Sequence, residues 1–542
     1  MNISHFLSFF SATSEMRKAK KIVREISGRN PRTHKRIFLI EAFQTPSNRL
    51  GLAAFAPIAS SYYQADLASY YMMPSNLFVK LKEIVRFSFS VEKAFGCRKF
   101  ITIGSRPNRS SYIRLAKNLV ANIENKYDFE KLSYKGIRVG DLLYDVYLRR
   151  SQNPTLNFED PILISTISEF LQYFDNLLNF FERKVVAGVC VSHTVYFLGL
   201  PSRMAAHFDV PSFQVTAESI HRITSEWTHA YTAFKQYPEI FSSLDKQDRE
   251  LGKRLAEKRL LKRFGGEIGV DMSYSTASAF SNPKDSVTVL RNSNKPKVLV
   301  AIHDFFDSPH SYGDNLYPDF YEWLLDLARI SQEIDYDWYI KTHPDIQGSG
   351  NQVLREFTEK YPNFTVIPSE TSHHNLISEG ITVALTIFGS IAMEYPYLGV
   401  PVINASQNNP HVRYSFCLSP KDREEYQKLL LNIPKSIEPS SREQILEYYF
   451  VHNILMLKSW FFIDYEHYFK GIGGSKFAYS WPIFREYFKS DNSIPLPQIS
   501  SAITNFLNSS DQCLGRHHFP KNSSVSLGVY LRQFDNLEAN RD

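Results

Sequence analysis

Short apolar segments alternate with longer amphipathic segments along the first half of the chain. Each apolar segment is rich in β-branched or aromatic residues and ends at small or polar residues, which is typical of buried parallel strands. Four segments with this pattern are predicted as strands, at residues 36–43, 98–104, 185–192 and 210–216. Helical periodicity lies between them, at residues 76–93, 110–126, 163–182 and 200–208. Strands that alternate with helices predict an α/β layer built on a parallel sheet.

The same alternation starts again after a charged amphipathic helix and a polar connection. The helix is predicted at residues 244–264, and the connection, rich in Gly, Ser and Asn, runs from residue 265 to about residue 296. Beyond it, strands are predicted at residues 297–303, 336–342, 364–367, 381–387 and 400–404. Helices are predicted between these strands at residues 317–333, 350–361, 371–379 and 390–398. Two α/β units in one chain place a cleft between them, where ligands usually bind.

Chain length and pattern together predict three regions. A chain of 542 residues is longer than a usual single domain of about 100–200 residues. We expect a first Rossmann-like domain over residues 1–290, a second over 291–435, and a helical extension over 436–542 that packs back on both. The extension holds an aromatic-rich stretch at residues 441–470, for which core packing is favoured over a membrane-surface patch.

Composition and charge exclude several classes of protein. Hydrophobic residues make up 43% of the chain and charged residues 22%, as in ordinary globular proteins. The net charge of +6 suits small anionic substrates or an anionic membrane surface but is too small to indicate nucleic-acid binding.

The four cysteines, Cys97, Cys190, Cys417 and Cys513, lack metal-ligand spacing and are predicted to be buried, reduced thiols. No apolar run has the length of a membrane span or the pattern of a signal peptide, so we expect a cytoplasmic protein, with any inner-membrane contact being peripheral.

The segment Lys341-Thr342-His343-Pro344-Asp345 stands at the end of a predicted strand. In an open parallel sheet, this end of a strand borders the ligand site. Because a residue before proline is restricted to extended or turn conformations, the ring of His343 is held in one direction. With Lys341 beside it, His343 can donate to a phosphate oxygen and neutralise the charge of a leaving group. The alternative is a histidine that only caps a turn.

A second polar group follows the fourth predicted strand of the second unit. Gly389 permits close approach of the backbone, and Ser390 can cap the next helix or turn its hydroxyl toward a phosphate. Glu394 lies one helical turn further along on the same face, where its carboxylate can accept hydrogen bonds from a ribose diol. A simple N-cap serine and an exposed helix glutamate are the alternatives. The predicted nucleotide-binding residues are therefore Lys341, His343, Gly389, Ser390 and Glu394.

The order strand, His-Pro, strand, Gly-Ser, helix, Glu, Gly-x-Pro, strand resembles the donor domain of GT-B glycosyltransferases over about residues 295–410. It is especially similar to capsule-type Kdo transferases and bacterial sialyltransferases. In those families the His-Pro element and a later serine loop hold the CMP phosphate and a carboxylate holds the ribose, which implies these roles for His343, Ser390 and Glu394. The pattern is also similar to teichoic-acid polymerases that use CDP-glycerol. The Gly389-Ser390 pair stands where these families often carry two hydroxyl residues.

The resemblance implies an α/β fold of two Rossmann-like domains facing a cleft, with C-terminal helices. The first domain would hold the acceptor and the second the donor. The implied activity moves a sugar from a nucleotide-activated donor, a CMP-sugar such as Kdo being slightly favoured over a UDP-sugar, to a bacterial surface polysaccharide (capsule, lipopolysaccharide or O-antigen) or lipid-linked glycan. The nucleotide-sugar is then a substrate, and neither cofactor nor metal is expected. A CDP-glycerol-type phosphotransferase, a UDP-sugar epimerase and a non-catalytic scaffold of a glycan assembly complex remain as alternatives.

The catalytic group is expected from the first unit. An inverting transferase needs a carboxylate or histidine that takes the proton of the acceptor hydroxyl, whereas a retaining one can use a carboxylate nucleophile. The candidates, in order of preference, are Glu218, His193 and Asp141, each of which has a structural role as its alternative.

Four further polar residues follow the first strand of the second unit, namely His303, Asp304, Asp307 and His310. Contacts with the donor phosphate or sugar are favoured for this loop. A bound metal is the less favoured alternative, because GT-B enzymes generally ligate none.

Overall fold

The computed structural model of the protein describes most of the chain. Its description covers residues 17–21, 24, 35–42, 45–74, 91–105, 110–216, 218–271, 277–280, 288–342, 349–433, 441–456, 460–463, 487, 489, 493–523 and 525–532.

The N-terminal half is built on a six-stranded sheet with the strand order β3-β2-β1-β4-β5-β6. Its strands are β1, Ile37–Glu41; β2, Asp66–Pro74; β3, Lys99–Ser105; β4, Val186–Val191; β5, Ser212–Val215; and β6, Ile220–Ile223. Neighbouring strands run parallel except at the β5–β6 edge, which is antiparallel. The order reverses between β1 and β4, so this sheet has a topological switch point there.

Helices cover both faces of the N-terminal sheet. They are α1, Pro46–Tyr62; α2, Ser110–Ala121; α3, Lys126–Glu130; α4, Gly140–Ser151; α5, Pro161–Arg183; and α6, Leu200–His207. The apolar side chains of α1 lie in the core on one face, and those of α4, α5 and α6 lie in the core on the other. A short ribbon of Ser133–Tyr134 and Ile137–Arg138 precedes α4. The sheet is therefore the middle layer of a three-layer domain.

The C-terminal half contains a five-stranded sheet in which all neighbouring strands run parallel, in the order β9-β8-β7-β10-β11. Its strands are β7, Lys297–Ala301; β8, Asp337–Lys341; β9, Phe364–Ile367; β10, Val383–Thr386; and β11, Val402–Asn404. The helices that follow these strands are α9, Phe320–Ile330; α10, Ser349–Lys360; α11, His373–Ser378; α12, Ile391–Tyr397; and α13, Arg423–Leu431. Here the order reverses between β7 and β10, which gives the second switch point.

Four further helices of the described residues pack on the sheet of one domain or the other. In chain order they are α7, Tyr237–Ser243; α8, Lys246–Phe264; α14, Ser441–Tyr449; and α15, Leu496–Asn508. Short helical turns lie at Tyr196–Gly199, Ala230–Gln236, Phe450–Leu455 and Arg516–His518. The buried residues of α7, α8 and α14 share an apolar cluster with the C-terminal sheet, whereas α15 packs with α1 against the N-terminal sheet. Of the described C-terminal helices, α14 therefore packs on the second sheet and α15 on the first.

Two Rossmann-like domains with C-terminal helices confirm the predicted GT-B-like fold class. The domain limits at residues 290 and 435 stay predictions, and we note that α7 and α8 pack with the second sheet. All four cysteines are buried and unpaired, in agreement with the sequence prediction. Within the described part of the chain, no helix combines the length and apolarity that crossing a bilayer requires.

Candidate functional site

The switch point of the C-terminal sheet brings together His303, after β7, and Thr386, at the end of β10. The Nε2 atom of His303 lies 3.4 Å from Oγ1 of Thr386. The same hydroxyl oxygen accepts a hydrogen bond from the backbone N–H of Gly389 at 3.1 Å. A methyl group added at Gly389 would come within 2.8 Å of Thr386 Oγ1, so this tight turn requires glycine. The turn is followed by Ser390 at the N-cap position of α12, and its role as a phosphate ligand stays a prediction.

Ser390 and Glu394 both contact Arg263, which comes from the end of α8. The Nε atom of Arg263 donates to Glu394 Oε1 at 2.7 Å, and its NH2 group donates to Ser390 Oγ at 3.3 Å. Ser390 stands at the N-cap position of α12 but makes no side-chain capping bond, and Glu394 is only 3% exposed. Burial by itself lowers the pKa of Arg263, but the charges of Glu394 and Asp271 outweigh it and raise that pKa. Glu394 is thus the buried partner of a cation. The alternative interpretation, in which Glu394 is a solvent-exposed helix residue, does not hold.

Lys341 ends β8 and is turned toward the neighbouring strand β9. Its Nζ atom donates to the carbonyl oxygen of Ser369, which follows β9, at 2.5 Å. Burial lowers the pKa of Lys341 to about 8, and the charge of Glu370 opposes this shift. Because β9 lies on the side of β8 away from β7, the ammonium group does not contact Ser390 or Glu394 in this state. His343, the predicted phosphate donor next to it, lies outside the described residues.

The switch point of the N-terminal sheet carries a second group of polar side chains, Glu41, Ser192 and His193. Glu41 ends β1, and its Oε2 atom accepts a hydrogen bond from the backbone N–H of Ser192, after β4, at 2.7 Å. Burial raises the pKa of Glu41 to about 7, although hydrogen bonds from the backbone and side chain of Ser192 oppose this shift. On the other side of Ser192, its Oγ atom lies 3.0 Å from Nδ1 of His193. Ser192 therefore links the carboxyl group to the imidazole.

His193 is the sequence-predicted catalytic candidate that lies at this switch point. Its side chain is half-buried. Burial and the charge of Arg149 lower the pKa of His193, and the charge of Asp307 opposes this shift. A lowered pKa leaves the imidazole neutral near pH 7, the form that can accept a proton.

Glu41 was not among the sequence candidates. The signal was present, because Glu41 is the acidic residue at the end of the apolar segment 36–43. What raises its pKa is burial beside Ser192, a residue 151 positions further along the chain. Such a contact has no signature in the local sequence.

Two contacts connect the N-terminal domain with the loop that follows β7. The hydroxyl of Tyr196, after β4, donates to Asp307 Oδ1, after β7, at 2.6 Å. The imidazole Nδ1 of His310 lies 2.6 Å from Oδ1 of Asp145 on α4, and both side chains are about 1% exposed. Burial by itself lowers the pKa of His310, but the charge of Asp145 and the hydrogen bond to it outweigh burial and raise that pKa to about 9. The carboxyl edges of the two sheets thus face one cleft.

Aromatic rings extend across this cleft toward the C-terminal switch point. The ring centroids of Tyr231 and Tyr312 are 6.0 Å apart, those of Tyr312 and Phe388 are 4.7 Å apart, and those of Phe388 and His303 are 4.4 Å apart. Tyr231 comes from the N-terminal half and the others from the C-terminal domain. These rings give one wall of the cleft flat apolar surfaces.

The two other catalytic candidates occupy different environments. Asp141 is buried and bonded to Arg203 at 2.5 Å and to His229 at 3.3 Å. Although burial by itself raises the pKa of Asp141, Arg203 and His229 outweigh it and hold that pKa well below its usual range. Glu218 is exposed in the turn between β5 and β6, where its backbone N–H donates to Thr216 Oγ1 at 3.1 Å. Neither residue lies at the switch point of its sheet.

The metal alternative for the loop after β7 finds no geometric support. Among the described residues, the only group of histidine, cysteine or carboxylate ligands close enough to hold a metal ion is Asp511, His517 and His518. This group borders a cavity of about 770 Å³ that is lined by residues of both halves and of the C-terminal segment, including Trp227, Asn408, Asp511 and His517. The lining does not include Lys341, Ser390 or Glu394. The cavity is therefore separate from the predicted nucleotide site.

The chain is similar to known proteins in its fold and not in its sequence. No protein-family model and no curated protein matches the chain. Its fold is similar to that of UDP-GlcNAc 2-epimerase from Neisseria meningitidis bound to UDP-GlcNAc. The two sequences are 10% identical, and the match covers 76% of this chain and 99% of that chain with a TM-score of 0.23. A putative UDP-N-acetylglucosamine 2-epimerase from Listeria monocytogenes is 9% identical in sequence, and the match covers 77% of this chain and 91% of that chain with a TM-score of 0.25. At such identities and TM-scores the similarity carries no argument about activity, and the fold assignment rests on the sheets described above.

Proposed function

We propose that the protein is a glycosyltransferase that moves a sugar from a nucleotide-activated donor to a bacterial surface polysaccharide or lipid-linked glycan. The observation that carries this proposal is the pair of switch points that face one cleft. One of them carries hydroxyl, guanidinium and carboxylate groups, and the other carries a carboxyl, a hydroxyl and an imidazole in hydrogen-bond contact. A transferase needs both kinds of group, since one binds the donor and the other activates the acceptor.

On the donor side, Ser390 and Arg263 are proposed to bind the phosphate of the nucleotide. A phosphate oxygen would compete with Ser390 Oγ for the NH2 group of Arg263, whose bond of 3.3 Å to the serine is the weakest contact of that guanidinium. Gly389 allows the phosphate to approach the backbone, and Lys341 and His343 keep the role toward the phosphate that the sequence predicts for them. Glu394 keeps its proposed role toward the ribose, and Arg263 neutralises its charge.

On the acceptor side, His193 is proposed as the general base. With a proton on Nδ1, the imidazole donates to Ser192 Oγ, and the serine hydroxyl donates to Glu41. The lone pair of Nε2 then takes the proton of the acceptor hydroxyl while its oxygen attacks the anomeric carbon and the nucleotide leaves. Glu41 acts through Ser192 and is a positioning residue, because its carboxyl stabilises the imidazolium that forms.

The other two candidates are less suited to this step. The carboxylate of Asp141 is held ionised by two buried cationic or donor groups and is only 1% exposed, so it is a weak and shielded base. Glu218 is exposed in the turn between β5 and β6 and does not lie at the switch point of the sheet. We therefore place His193 before Glu218 and Asp141.

The reacting partners follow from the resemblance in sequence and stay part of the proposal. A CMP-sugar such as Kdo is slightly favoured as the donor over a UDP-sugar, and a cytoplasmic enzyme with peripheral inner-membrane contact would meet a lipid-linked acceptor. Neither cofactor nor nucleic acid takes part in the proposed reaction.

A panel of CMP-, CDP-, UDP- and GDP-linked donors tests the proposal by nucleotide release and by thermal shift. One class of donor should raise the melting temperature and release its nucleotide. His193→Gln should abolish release and leave the thermal shift unchanged, while Ser390→Ala should weaken donor binding by about tenfold, the loss of one hydrogen bond to a charged group. Exposed Ser378→Ala and His207→Gln are matched controls that should change neither.

The products distinguish the proposal from its alternatives. An epimerised nucleotide-sugar formed without acceptor would identify a UDP-sugar epimerase, and transfer of glycerol phosphate would identify a phosphotransferase. Binding without any turnover would support a non-catalytic scaffold. A protein that no nucleotide stabilises would contradict the donor-site assignment altogether.

A further inference from the structure

Two adjacent histidines meet one carboxylate in the turn that follows α15. The Nε2 atom of His517 lies 2.8 Å from Asp511 Oδ2, and the Nε2 atom of His518 lies 3.1 Å from the same oxygen. The ligand atoms of the three residues all lie within 4.8 Å of one another. The helical turn Arg516–His518 presents both imidazoles to the same side, where Asp511 faces them.

These separations are close to those of a tetrahedral metal centre. Bonds of about 2.0–2.2 Å at tetrahedral angles place neighbouring ligand atoms roughly 3.3–3.6 Å apart. The observed distances of 2.8 and 3.1 Å therefore have to widen by roughly half an ångström to admit an ion. Two imidazoles and one carboxylate are ligands typical of Zn²⁺ and related transition cations, whereas Ca²⁺ and Mg²⁺ prefer oxygen ligands alone.

Surrounding groups fix the orientation of both imidazoles. The Nδ1 atom of His518 accepts a hydrogen bond from the backbone N–H of Gly515 at 3.0 Å, and this contact holds Nε2 of the same ring on the side of Asp511. The ring of His517 packs directly on Gly515, since a methyl group added there would come within 2.6 Å of its Nδ1 and Cε1 atoms. The side chain of His518 is only 4% exposed, whereas those of His517 and Asp511 are 19% and 24% exposed.

We propose that Asp511, His517 and His518 form a binding site for a divalent transition cation such as Zn²⁺. Asp511 and His517 also line the cavity of about 770 Å³ between the two halves and the C-terminal segment. Three protein ligands leave one position of a tetrahedral ion unfilled by the protein, and that position lies on the cavity side. Water or an oxygen of a molecule in the cavity completes the coordination. This site is independent of the proposed transferase activity, because it contains none of the residues assigned to donor or acceptor.

Metal content and affinity of the full-length chain test the site. Protein treated with a chelator and dialysed against Zn²⁺ should retain about one ion per chain, and Co²⁺ should give the visible absorption of a tetrahedral centre. His517→Gln and Asp511→Asn should each weaken binding at least tenfold. His207→Gln, which removes an exposed histidine of α6, should bind as the wild type does.

Two further measurements distinguish the loss of metal binding from the loss of folding. Circular dichroism and melting temperature without metal show whether each variant is folded. Gly515→Ala retains all three ligands but displaces the ring of His517, so it should also weaken Co²⁺ binding and alter its spectrum. Wild-type protein that retains no Zn²⁺ after dialysis, or variants that bind it as tightly as the wild type, would show that any metal is adventitious and would overturn the proposal.

Discussion

Glu41 accepts a hydrogen bond from the backbone of Ser192 at 2.7 Å, across the two strands between which the N-terminal sheet reverses its order. The carboxyl group is only 8% exposed, and burial raises its pKa to about 7 from an ordinary value of 4.5. The folded protein therefore binds a proton at Glu41 more tightly than the unfolded chain does. Folding and the ionisation of this group are coupled as a result.

The first prediction concerns stability as a function of pH. The contribution of Glu41 is fully present below pH 4.5 and is lost as the pH rises through about 7, with a total on the order of 3 kcal/mol. Glu41→Gln resembles the protonated carboxyl and does not lose this contribution. The free energy of unfolding of the variant minus that of the wild type should therefore increase by that amount from pH 4.5 to pH 8. Urea unfolding at both pH values measures the difference. Exposed Glu226→Gln should stay within about 0.5 kcal/mol of wild type at both pH values, and parallel curves for Glu41→Gln would disprove the raised pKa.

The second prediction uses the pair of His310 and Asp145, which connects the two domains. Because the pKa of His310 is raised from 6.5 to about 9, its contribution to stability is fully present below pH 6.5 and is lost as the pH rises through 9. The free energy of unfolding of wild type should exceed that of His310→Gln most at pH 6, and the excess should shrink by about 3 kcal/mol at pH 10. Lys341 titrates in the same range, but it is present in both proteins and cancels. A difference that does not change with pH would contradict the prediction.

The third prediction concerns the ion pair of Arg263 and Glu394. The two side chains are 13% and 3% exposed, so removing one partner leaves a buried charge. Glu394→Ala should lower the free energy of unfolding by about 3–5 kcal/mol. The double variant with Arg263→Met should lose less than the sum of the two single losses, because both charges are then removed.

An exposed pair at the C-terminal end of α9, with one residue in the turn that follows it, is the matched control for this double-mutant cycle. Arg329 and Glu333 lie one helical turn apart at 3.2 Å and are 50% and 65% exposed. Breaking that pair should cost less than about 1 kcal/mol. Equal losses for the exposed and the buried pair would show that burial of Glu394 does not matter to its interaction with Arg263.

Most of the strands could be predicted because burial on both faces leaves a strong sequence pattern. The nine predicted strands all correspond to strands of the two sheets. The strand Asp66–Pro74 was missed, since a polar residue and two tyrosines interrupt its apolar run. The helix Pro46–Tyr62 was also missed, because it contains Gly51 and Pro57, which usually mark a break in a helix. The predicted helix at 76–93 falls largely outside the described residues.

The candidate site was predictable only where its residues stand at strand ends. His193, Gly389 and Ser390 follow buried strands, and parallel strands bring their carboxyl ends to one edge. Arg263 had no such signal, since it lies on a charged helix 127 residues before Ser390. Its role depends on how α8 packs against α12, which no local pattern of residues encodes. The Asp511–His518 group was missed for a related reason, because its spacing matches no familiar ligand motif.

The last prediction tests the tight turn at Gly389. A methyl group there would lie 2.8 Å from Thr386 Oγ1, a buried atom on a short side chain that cannot move far. Gly389→Ala should therefore displace the Gly389–Ser390 backbone and weaken nucleotide binding by tenfold or more, with a fall in melting temperature of only a few degrees. Thermal shift with the preferred nucleotide and circular dichroism measure the two effects. Gly528→Ala adds a methyl group outside the donor site whose nearest neighbour, 3.3 Å away, is the carboxylate oxygen of the flexible Asp248 side chain, so it should leave binding unchanged. If both variants bound nucleotide as wild type does, the turn would not be part of the donor site.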